Sequence, residues 1–298
     1  VITFDSSIMT ITPASATITL GNLEQTYGDT SAVTVTTNPA DLSTTITYNG
    51  STEVPVNAGE YEVMATITDP NYTGEVKGVL TVNKAPVTIN AIGNSKEYDG
   101  TPNATVTLNI VGAVSGDQLT ANGTALFNSK NVLKNRLINV TGITLNGENA
   151  SNYTYDNTTT TNADVNPRFL TVSVVADNKV YDGNDSVEVE LSTDKISGDD
   201  VDVSYTDARF DNENVDNSKK VTVSGITKLG NDKDNYSLNL DNNSTETTAN
   251  ITAKELTITG LTADNKTYNG NDVVSLLNNP ELSGVISEDD VTLTGTPV

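Results

Sequence analysis

The sequence contains no cysteine, no histidine and no tryptophan. Without cysteine, the chain forms neither disulfide bonds nor thiolate metal sites. Without histidine, it lacks the commonest general base, the commonest metal ligand and the side chain that titrates near neutral pH. Without tryptophan, it lacks the best aromatic platform on which sugars or bases stack. We therefore predict that the protein is not an enzyme, and we expect no catalytic residues, no cofactor and no metal site.

Basic residues are also scarce. The chain has 16 Lys and Arg against 39 Asp and Glu, which gives a formal net charge of −23. Because phosphate binding needs clustered Lys and Arg, we expect no nucleic-acid partner, and anionic membrane surfaces are disfavoured for the same reason. No apolar run approaches the roughly 20 residues of a membrane span, so we expect no membrane insertion. The negative charge favours solubility and mutual repulsion.

The residues that are abundant favour β-structure. Hydrophobic residues make up 35 % of the chain, whereas Thr, Val, Asn and Asp are frequent, a mixture that suits strands joined by polar turns. Apolar and polar residues alternate in segments such as Glu62–Thr68, Lys220–Ile226 and Glu255–Leu261, which is the pattern of half-buried strands. The sequence thus predicts an all-β fold without amphipathic helices of ten or more residues. The best short helix candidate is Asp272–Asn279.

The sequence repeats itself around a tyrosine. The segments "NSKEYDGTPNATV", "DNKVYDGNDSVEV" and "DNKTYNGNDVVSL" contain Tyr98, Tyr181 and Tyr268, and a weaker relative, "LEQTYGDTSAVTV", contains Tyr27. Two further landmarks recur with the same period. One is "VSGDQL", "ISGDDV" and "ISEDDV"; the other is "PNYTG", "SNYTY" and "DNYSL". Such self-similarity at a fixed period is the signature of a tandem array.

The landmarks predict where the repeats begin and end. Residues 1–13 are expected to be the last strand of a preceding repeat. Complete repeats follow at 14–84, 85–167 and 168–253, and a truncated repeat occupies 254–298. The connections between repeats are short and often contain proline, so they are stiff. We expect an elongated tandem array of small β-sandwich or β-grasp-like domains, which behaves as a monomeric rod.

These landmarks carry a family resemblance. The motifs "KEYDGTPNATV", "KVYDGNDSVEV" and "KTYNGNDVVSL" resemble the YDG repeats of large bacterial surface proteins, and the first repeat resembles the related MBG repeat. Asn269 departs from the motif aspartate, and the first repeat lacks Asp-Gly after Tyr27. The resemblance implies an extracellular, adhesin-like or cell-wall protein, at the cell surface or secreted. It brings no catalytic residues to this chain.

The motif "KVYDGND" has the residue types of an active-site loop, but a structural interpretation is stronger. A site seldom recurs once in every repeat, whereas a fold-defining turn does. We expect Gly100 and Gly183 to adopt positive φ in tight turns. We expect the ring of Tyr181 to lie on the core, with its hydroxyl near water or a backbone partner. A ligand-binding role for the motif is the alternative.

Two other groups of residues have a chemical alternative to a structural role. The acidic segments Ser197–Asp207, Asp211–Asp216 and Gly230–Asn235 would offer oxygen ligands to calcium, although none has the spacing of an EF-hand loop. The second group is the lysine two residues before the motif tyrosine: Lys96, Lys179 and Lys266. A buried lysine of this kind would form an amide crosslink with Asn or Asp, whereas a lysine stem packed beside an aromatic ring is the commoner arrangement.

Three functions fit the sequence. The first is a non-catalytic stalk or spacer of a bacterial surface adhesin, in which a host surface protein or glycan is bound by other parts of the full-length chain. In the second, the repeats themselves bind a host protein or glycan. In the third, they are spacer modules of a secreted polysaccharide-degrading enzyme. The second function predicts an exposed aromatic or apolar patch on one repeat that the other repeats lack.

Overall fold

The computed structural model describes residues 9–29 and 31–295. Its regular elements are strands, apart from the single-turn 3-10 helices at Ala150–Asn152, Lys233–Asn235 and Asp241–Asn243. The all-β prediction is confirmed. Within the described residues, no helix is long and apolar enough to cross a bilayer.

The predicted short helix at Asp272–Asn279 is wrong. This segment contains no helix, and its backbone pairs with an extended neighbour instead. The amide of Leu277 donates to the carbonyl of Thr262 at 2.9 Å, and Ser275 accepts from the amide of Asp264 at 2.8 Å. Two consecutive β-branched valines disfavour a helix here, and pairing with the extended chain satisfies the backbone.

The first repeat contains a two-stranded and a four-stranded sheet. Strands β2 and β4 pair antiparallel, and the larger sheet has the order β3-β8-β6-β5. Its outer strand β3 is parallel to β8, and β1 is parallel to β7. The strands are β1 (Ala14–Ser15), β2 (Thr17–Gly21), β3 (Glu24–Thr26), β4 (Thr34–Asn38), β5 (Thr44–Tyr48), β6 (Gly59–Ile67), β7 (Tyr72–Thr73) and β8 (Glu75–Asn83).

The second repeat has the same pairing scheme. Strands β10 and β12 are antiparallel, β9 is parallel to β15, and the larger sheet has the order β11-β16-β14-β13. The strands are β9 (Ala85–Pro86), β10 (Thr88–Gly93), β11 (Lys96–Glu97), β12 (Val106–Val111), β13 (Thr120–Phe127), β14 (Leu133–Asn146), β15 (Tyr153–Thr154) and β16 (Thr159–Asn166).

The third repeat follows this scheme again and adds a pair. Strands β18 and β20 are antiparallel, β17 is parallel to β25, and the larger sheet has the order β19-β26-β23-β22. The additional pair is β21 with β24. The strands are β17 (Arg168–Leu170), β18 (Val172–Ala176), β19 (Lys179–Val180), β20 (Val189–Thr193), β21 (Asp202–Ser204), β22 (Asp207–Phe210), β23 (Asp216–Ser224), β24 (Thr227–Leu229), β25 (Tyr236–Leu238) and β26 (Thr245–Thr252).

The described residues nearest the two ends of the chain contain less regular structure. In the described part of the fourth repeat, β27 (Thr257–Thr259) pairs antiparallel with β28 (Glu281–Ser283). Of the strand predicted within residues 1–13, residues 1–8 lie outside the described residues, and residues 9–13 are not in a strand. The exact repeat boundaries stay predictions.

Contacts along the chain divide it into two compact units. One contains the residues up to Lys96 together with Pro102–Val165. The other contains Glu97–Thr101 together with the residues from Asn166 onward. The short segment Glu97–Thr101 holds the tyrosine motif of the second repeat. This motif therefore packs with the third repeat.

The core of the first repeat lies between its two sheets. Leu20 of β2 packs against a cluster that includes Val63 of β6 and Leu80 of β8, and these two residues have no exposed surface. Burial alternates along β6 and along β8, because successive side chains of a strand point to opposite faces. Two facing sheets without an intervening helix make this repeat a small sandwich.

Candidate functional site: the tyrosine joints

Three of the four motif tyrosines, Tyr27, Tyr98 and Tyr181, lie where the chain leaves their repeat. In the first repeat, the last residue of β8 is Asn83, and the Tyr27 amide donates to its carbonyl at 2.8 Å. In the third repeat, the Tyr181 amide donates to Thr252 at the end of β26, also at 2.8 Å. Tyr98 makes the same bond to Asn166 at 2.9 Å. The short strand before each tyrosine thus fixes the tyrosine beside the last strand of its repeat.

The side chain of Tyr98 meets two residues of the third repeat. Its hydroxyl donates to Asp199 Oδ2 at 2.9 Å, and the hydroxyl of Tyr236 donates to the same oxygen at 2.7 Å. The two rings pack edge to face, with centroids 5.5 Å apart and an interplanar angle of 72°. The amide of Ile196 donates to the Tyr236 hydroxyl at 3.0 Å. We call the group Tyr98, Asp199 and Tyr236 the second joint.

The same arrangement joins Tyr27 to the second repeat. Tyr27 donates to Asp117 Oδ2 at 2.9 Å, and the hydroxyl of Tyr153 donates to the same oxygen. The two rings are 5.3 Å apart at an interplanar angle of 79°. The amide of Val114 donates to the Tyr153 hydroxyl at 2.9 Å, and Asn149 donates to Asp117 Oδ1 at 2.6 Å. We call Tyr27, Asp117 and Tyr153 the first joint.

A third joint has one tyrosine within the described residues. The hydroxyl of Tyr181 donates to Asp289 Oδ1 at 2.8 Å. The prediction that the Tyr181 hydroxyl meets water or backbone is therefore corrected: its partner is a carboxylate about one repeat further along the chain. The fourth motif tyrosine, Tyr268, is 92 % exposed.

A tight turn presents each of these aspartates. The aspartate amide donates to the carbonyl three residues earlier: Asp117 to Val114 at 3.1 Å, Asp199 to Ile196 at 3.1 Å and Asp289 to Ile286 at 3.0 Å. This is the hydrogen bond of a β-turn. The recurring "VSGD", "ISGD" and "ISED" landmark is thus the turn that carries the acceptor of each joint.

The motif glycine packs against the first residue of that turn. The predicted positive φ is confirmed, with 77° at Gly100 and 79° at Gly183. A Cβ atom on Gly100 would lie 3.2 Å from Ile196 Cγ2, and one on Gly183 would lie 2.9 Å from Ile286 Cγ2. A side chain is therefore disfavoured by backbone conformation at both positions and by the neighbouring residue, more strongly at Gly183 than at Gly100.

Comparison with known families matches this repeat structure. Residues 16–86 match the MBG domain, and residues 83–161 and 166–248 match the YDG domain. The YDG matches together span more than half of the chain. The chain belongs to the YDG domain family. A search of curated proteins found no match. In the two YDG domains, the matched segments contain the aspartate and the second tyrosine of the first and second joints.

Burial and hydrogen bonding hold the joint tyrosines of these YDG domains in the neutral form. Burial, helped by the hydrogen bond to Asp117, raises the pKa of Tyr153 from 10.0 to about 12. Burial and the bond to Asp199 raise the pKa of Tyr236 to about 12 in the same way. The hydrogen bond from Tyr153, joined by those from Tyr27 and Asn149, outweighs burial and lowers the pKa of Asp117. The first joint therefore keeps hydroxyl donors and a charged acceptor over the physiological pH range.

A buried asparagine adds a further contact at the first joint. Asn152 precedes Tyr153 in the "SNYTY" landmark and is 3 % exposed. Its Oδ1 accepts from the amide of Ala58 at 3.0 Å, and its Nδ2 donates to Asn57 Oδ1 at 3.1 Å. The landmark thus supplies two adjacent residues that hold the first repeat.

Two of the motif lysines, Lys179 and Lys266, hold the loop that follows them in place. Lys179 Nζ donates to Asn184 O and Oδ1 at 2.8 and 2.9 Å and to Ser186 O at 3.0 Å, and it lies 2.7 Å from Asp182 Oδ1. Lys266 makes the corresponding bonds to Asn271 and Val273. The contacts support a structural role.

The acidic segments bind donors of their own chain. Asp200 Oδ2 accepts from the amide and the side chain of Asn231 at 3.0 and 2.8 Å. Asp211 pairs with Lys219 at 3.0 Å. Among the described residues, no group of three or more acidic side chains is placed to hold a metal ion. Asp199, from the segment Ser197–Asp207, is the acceptor of the second joint.

The fourth repeat exposes an apolar cleft. The cleft has a volume of 460 Å³ and is lined by residues that include Ile258, Leu261 and Leu293. Ile258 is 47 % exposed, whereas its counterparts Ile89 and Val172 are 6 % and 9 % exposed. In the second and third repeats a four-stranded sheet accompanies this strand pair, but the described part of the fourth repeat has only β27 and β28. The cleft is therefore the open core of a repeat.

In the first and second joints, two of the three residues were not predicted as joint residues from the sequence. Sequence reasoning interpreted the motif tyrosines and glycines as structural, but it assigned no role to Asp117, Tyr153 or Tyr236, and it considered Asp199 only as a candidate calcium ligand. The signal was present, because the "SGD" and "NY" landmarks recur with the same period as the tyrosine motif. A shared period indicates a shared role, but it does not say which landmarks meet.

Proposed function

We propose that this chain is a non-catalytic spacer, a stalk segment of a large bacterial surface adhesin that acts outside the cell and projects a distal binding domain. One observation carries the proposal. The recurring tyrosine of one repeat donates to the recurring aspartate of the following repeat at 2.9 Å in the first joint, 2.9 Å in the second and 2.8 Å in the third. The most regular feature of the sequence therefore connects repeats.

The burial of these residues supports a spacer over a binding module. Tyr98 and Tyr236 are each 1 % exposed, and Asp199 is 7 % exposed. A recurring ligand site needs side chains that a partner reaches, and aromatic anchors are the usual hot spots of such sites. In the second joint, both aromatic residues and the carboxylate already bind one another.

Small-angle X-ray scattering of the full chain tests the spacer directly. A compact globule of this length has a radius of gyration near ~19 Å. The spacer proposal expects a value above about 30 Å, because stiff tandem domains extend the chain and acidic repulsion adds to the extension. The scattering is measured at low and at high salt, since screening weakens repulsion between exposed charges.

A matched variant shows whether the connection between the first and second repeats is stiff. Gly-Ser-Gly-Ser is inserted between Lys84 and Ala85, where β8 is followed directly by β9. If the native connection is stiff, the insertion broadens the distribution of interatomic distances. A radius near 20 Å for the native chain, unchanged by salt, contradicts the spacer.

The absence of catalysis is tested separately. A panel of glycosidase, protease and esterase substrates is expected to stay at background with the purified chain. The reason is that the recurring polar side chains bind one another, and the chain has no histidine or cysteine. Reproducible turnover that disappears when one carboxylate is replaced refutes this part of the proposal.

A further inference from the structure

The two ends of the first repeat are held by parallel strand pairs. At the C-terminal end, β8 leaves the repeat beside β3, with Glu24 opposite Thr81 and Thr26 opposite Asn83. The bond from the Tyr27 amide to Asn83 closes this pair. At the N-terminal end, Ala14 of β1 lies opposite Tyr72 of β7. Because β7 immediately precedes β8, the chain enters the repeat at the start of β8 and leaves at its end.

This placement defines how tension acts on the repeat. Strand β8 has nine residues, which corresponds to about 30 Å. Tension between the two ends of the repeat therefore acts along β8. Strand β6 flanks it in an antiparallel pair from Glu75 to Val82, and β3 flanks it on the other side. Backbone hydrogen bonds of an antiparallel pair run perpendicular to the strands, so the tension slides the strands past each other instead of opening them from one end.

The third repeat has the same arrangement. Strand β17 is parallel to β25, with Arg168 opposite Tyr236. Strand β26 leaves the repeat beside β19, with Val180 opposite Thr252. The Tyr181 amide donates to Thr252, as Tyr27 donates to Asn83. Strand β26 is flanked along its other side by β23.

We propose that each of these two repeats is a tension-resisting module, whose last strand is loaded in shear between a long antiparallel strand on one side and the short parallel strand just before the motif tyrosine on the other. In shear, many hydrogen bonds share the load and must break together. In peeling, each bond breaks in turn. The tyrosine has two functions in this design: its amide closes the clamp on its own repeat, and its hydroxyl holds the aspartate of the next. The proposal goes beyond the spacer role and does not depend on it.

A single-molecule pulling experiment tests the proposal. Because the chain has no cysteine, pulling handles attach only at the cysteines that are introduced. In the full chain, Pro13→Cys with Lys84→Cys applies tension across the first repeat in shear. The pair Val56→Cys and Lys84→Cys keeps the attachment point at Lys84. It pulls β6 and β8 apart from one end of their ladder, because Gly59 lies opposite Val82. All three positions are exposed, so the substitutions leave the core intact. Calorimetry confirms that both variants melt like the native chain.

The measurement is the rupture force in an optical trap or an atomic force microscope at one loading rate. We expect the shear pair to rupture at about two-fold higher force or more, since its ladder bonds are loaded together. The third repeat gives an independent replicate. There, Pro167→Cys with Ala253→Cys applies shear, and Val215→Cys with Ala253→Cys peels β23 from β26. A repeat whose two rupture forces are equal, or whose shear force is the lower one, overturns the proposal. A compact radius of gyration would instead refute the spacer and leave this comparison unaffected.

Discussion

The first and second joints differ in burial but share one hydrogen-bond scheme. In both, two tyrosine hydroxyls donate to the same carboxylate oxygen, and the rings pack edge to face. In the second joint all three residues are buried, with Asp199 at 7 % exposure. In the first joint Tyr153 is buried, whereas Tyr27 and Asp117 are partly exposed.

This difference shows which part of the joint the fold preserves. The first joint follows an MBG domain, in which Gly28 comes directly after Tyr27 and no Asp-Gly pair is present. The hydroxyl still reaches its aspartate, so the donor–acceptor geometry is kept while the surrounding loop changes. What changes is the access of water. A polar group that loses its partner costs little where water replaces the partner and much where it is buried.

The largest effect is expected for Asp199→Ala. It leaves the buried hydroxyls of Tyr98 and Tyr236 without their acceptor, at roughly 1–3 kcal/mol for each unsatisfied group. Calorimetry is expected to show earlier melting of the third repeat. Asp199→Asn keeps an acceptor and is expected to cost less. Glu190→Ala, an exposed carboxylate on β20, is the control for charge. Equal effects of Asp199→Ala and Glu190→Ala contradict the prediction.

Asp117→Ala is expected to have a smaller effect, about 1–2 kcal/mol. Water replaces the carboxylate at the partly exposed Tyr27 and Asn149, so Tyr153 is the one buried donor that loses its acceptor. The control is Glu148→Ala, which removes an exposed charge from the same repeat. The measurement is the melting temperature of the second repeat by calorimetry. A loss as large as that of Asp199→Ala means that burial does not set the strength of a joint.

A comparison of Gly183 in the third repeat with Gly270 in the fourth distinguishes backbone strain from a side-chain clash. Gly183 and Gly270 have nearly the same φ, 79° and 81°. A Cβ atom at Gly183 would meet Ile286, whereas nothing lies within 4 Å of one at Gly270. Gly270→Ala therefore reports only backbone strain, about 1 kcal/mol. Gly183→Ala is expected to cost more, by the clash with Ile286. Equal losses of unfolding free energy in urea show that the glycine is needed for its conformation alone.

Tyrosine ionisation has the smallest effect on stability at physiological pH, and its effect becomes large only in alkali. The pKa values of Tyr153 and Tyr236 are raised from 10.0 to about 12 in the folded chain. The stabilisation from these raised values is complete below pH 10 and is lost as the pH rises towards 12, because the unfolded chain releases its protons first. Ultraviolet titration is expected to show a late phase that coincides with unfolding. Complete ionisation near pH 10 in a folded chain contradicts the buried joints.

Much of the fold was predictable because it is encoded locally. Alternating residues such as those of Glu62–Thr68 and Lys220–Ile226 place one face of a strand in the core, and both segments lie largely within strands. The positive φ of Gly183 followed from a turn that recurs. The error at Asp272–Asn279 has the opposite origin, since a short apolar run does not distinguish a helix from an extended segment.

The joints were not predictable, because their partners lie far apart in the sequence. Tyr98 precedes both Asp117 and Asp199, and each aspartate stands in the same kind of landmark. Periodicity defines equivalent positions but does not say whether a contact lies within a repeat or reaches the next one. The structure places Tyr98 with Asp199, 101 positions further along the chain.

The energetic coupling between Tyr98 and Asp199 is the most direct measure of a joint between repeats. A double-mutant cycle of Tyr98→Phe and Asp199→Ala measures it, with unfolding free energies from urea denaturation. Groups in one hydrogen-bond network are coupled by about 0.5–3 kcal/mol, whereas distant residues are additive within about 0.5 kcal/mol. We expect a coupling of about 1 kcal/mol or more, and additivity in the control cycle of Tyr98→Phe with Glu190→Ala. Additive effects of Tyr98→Phe and Asp199→Ala would contradict the claim that the tyrosine motif is a joint between repeats.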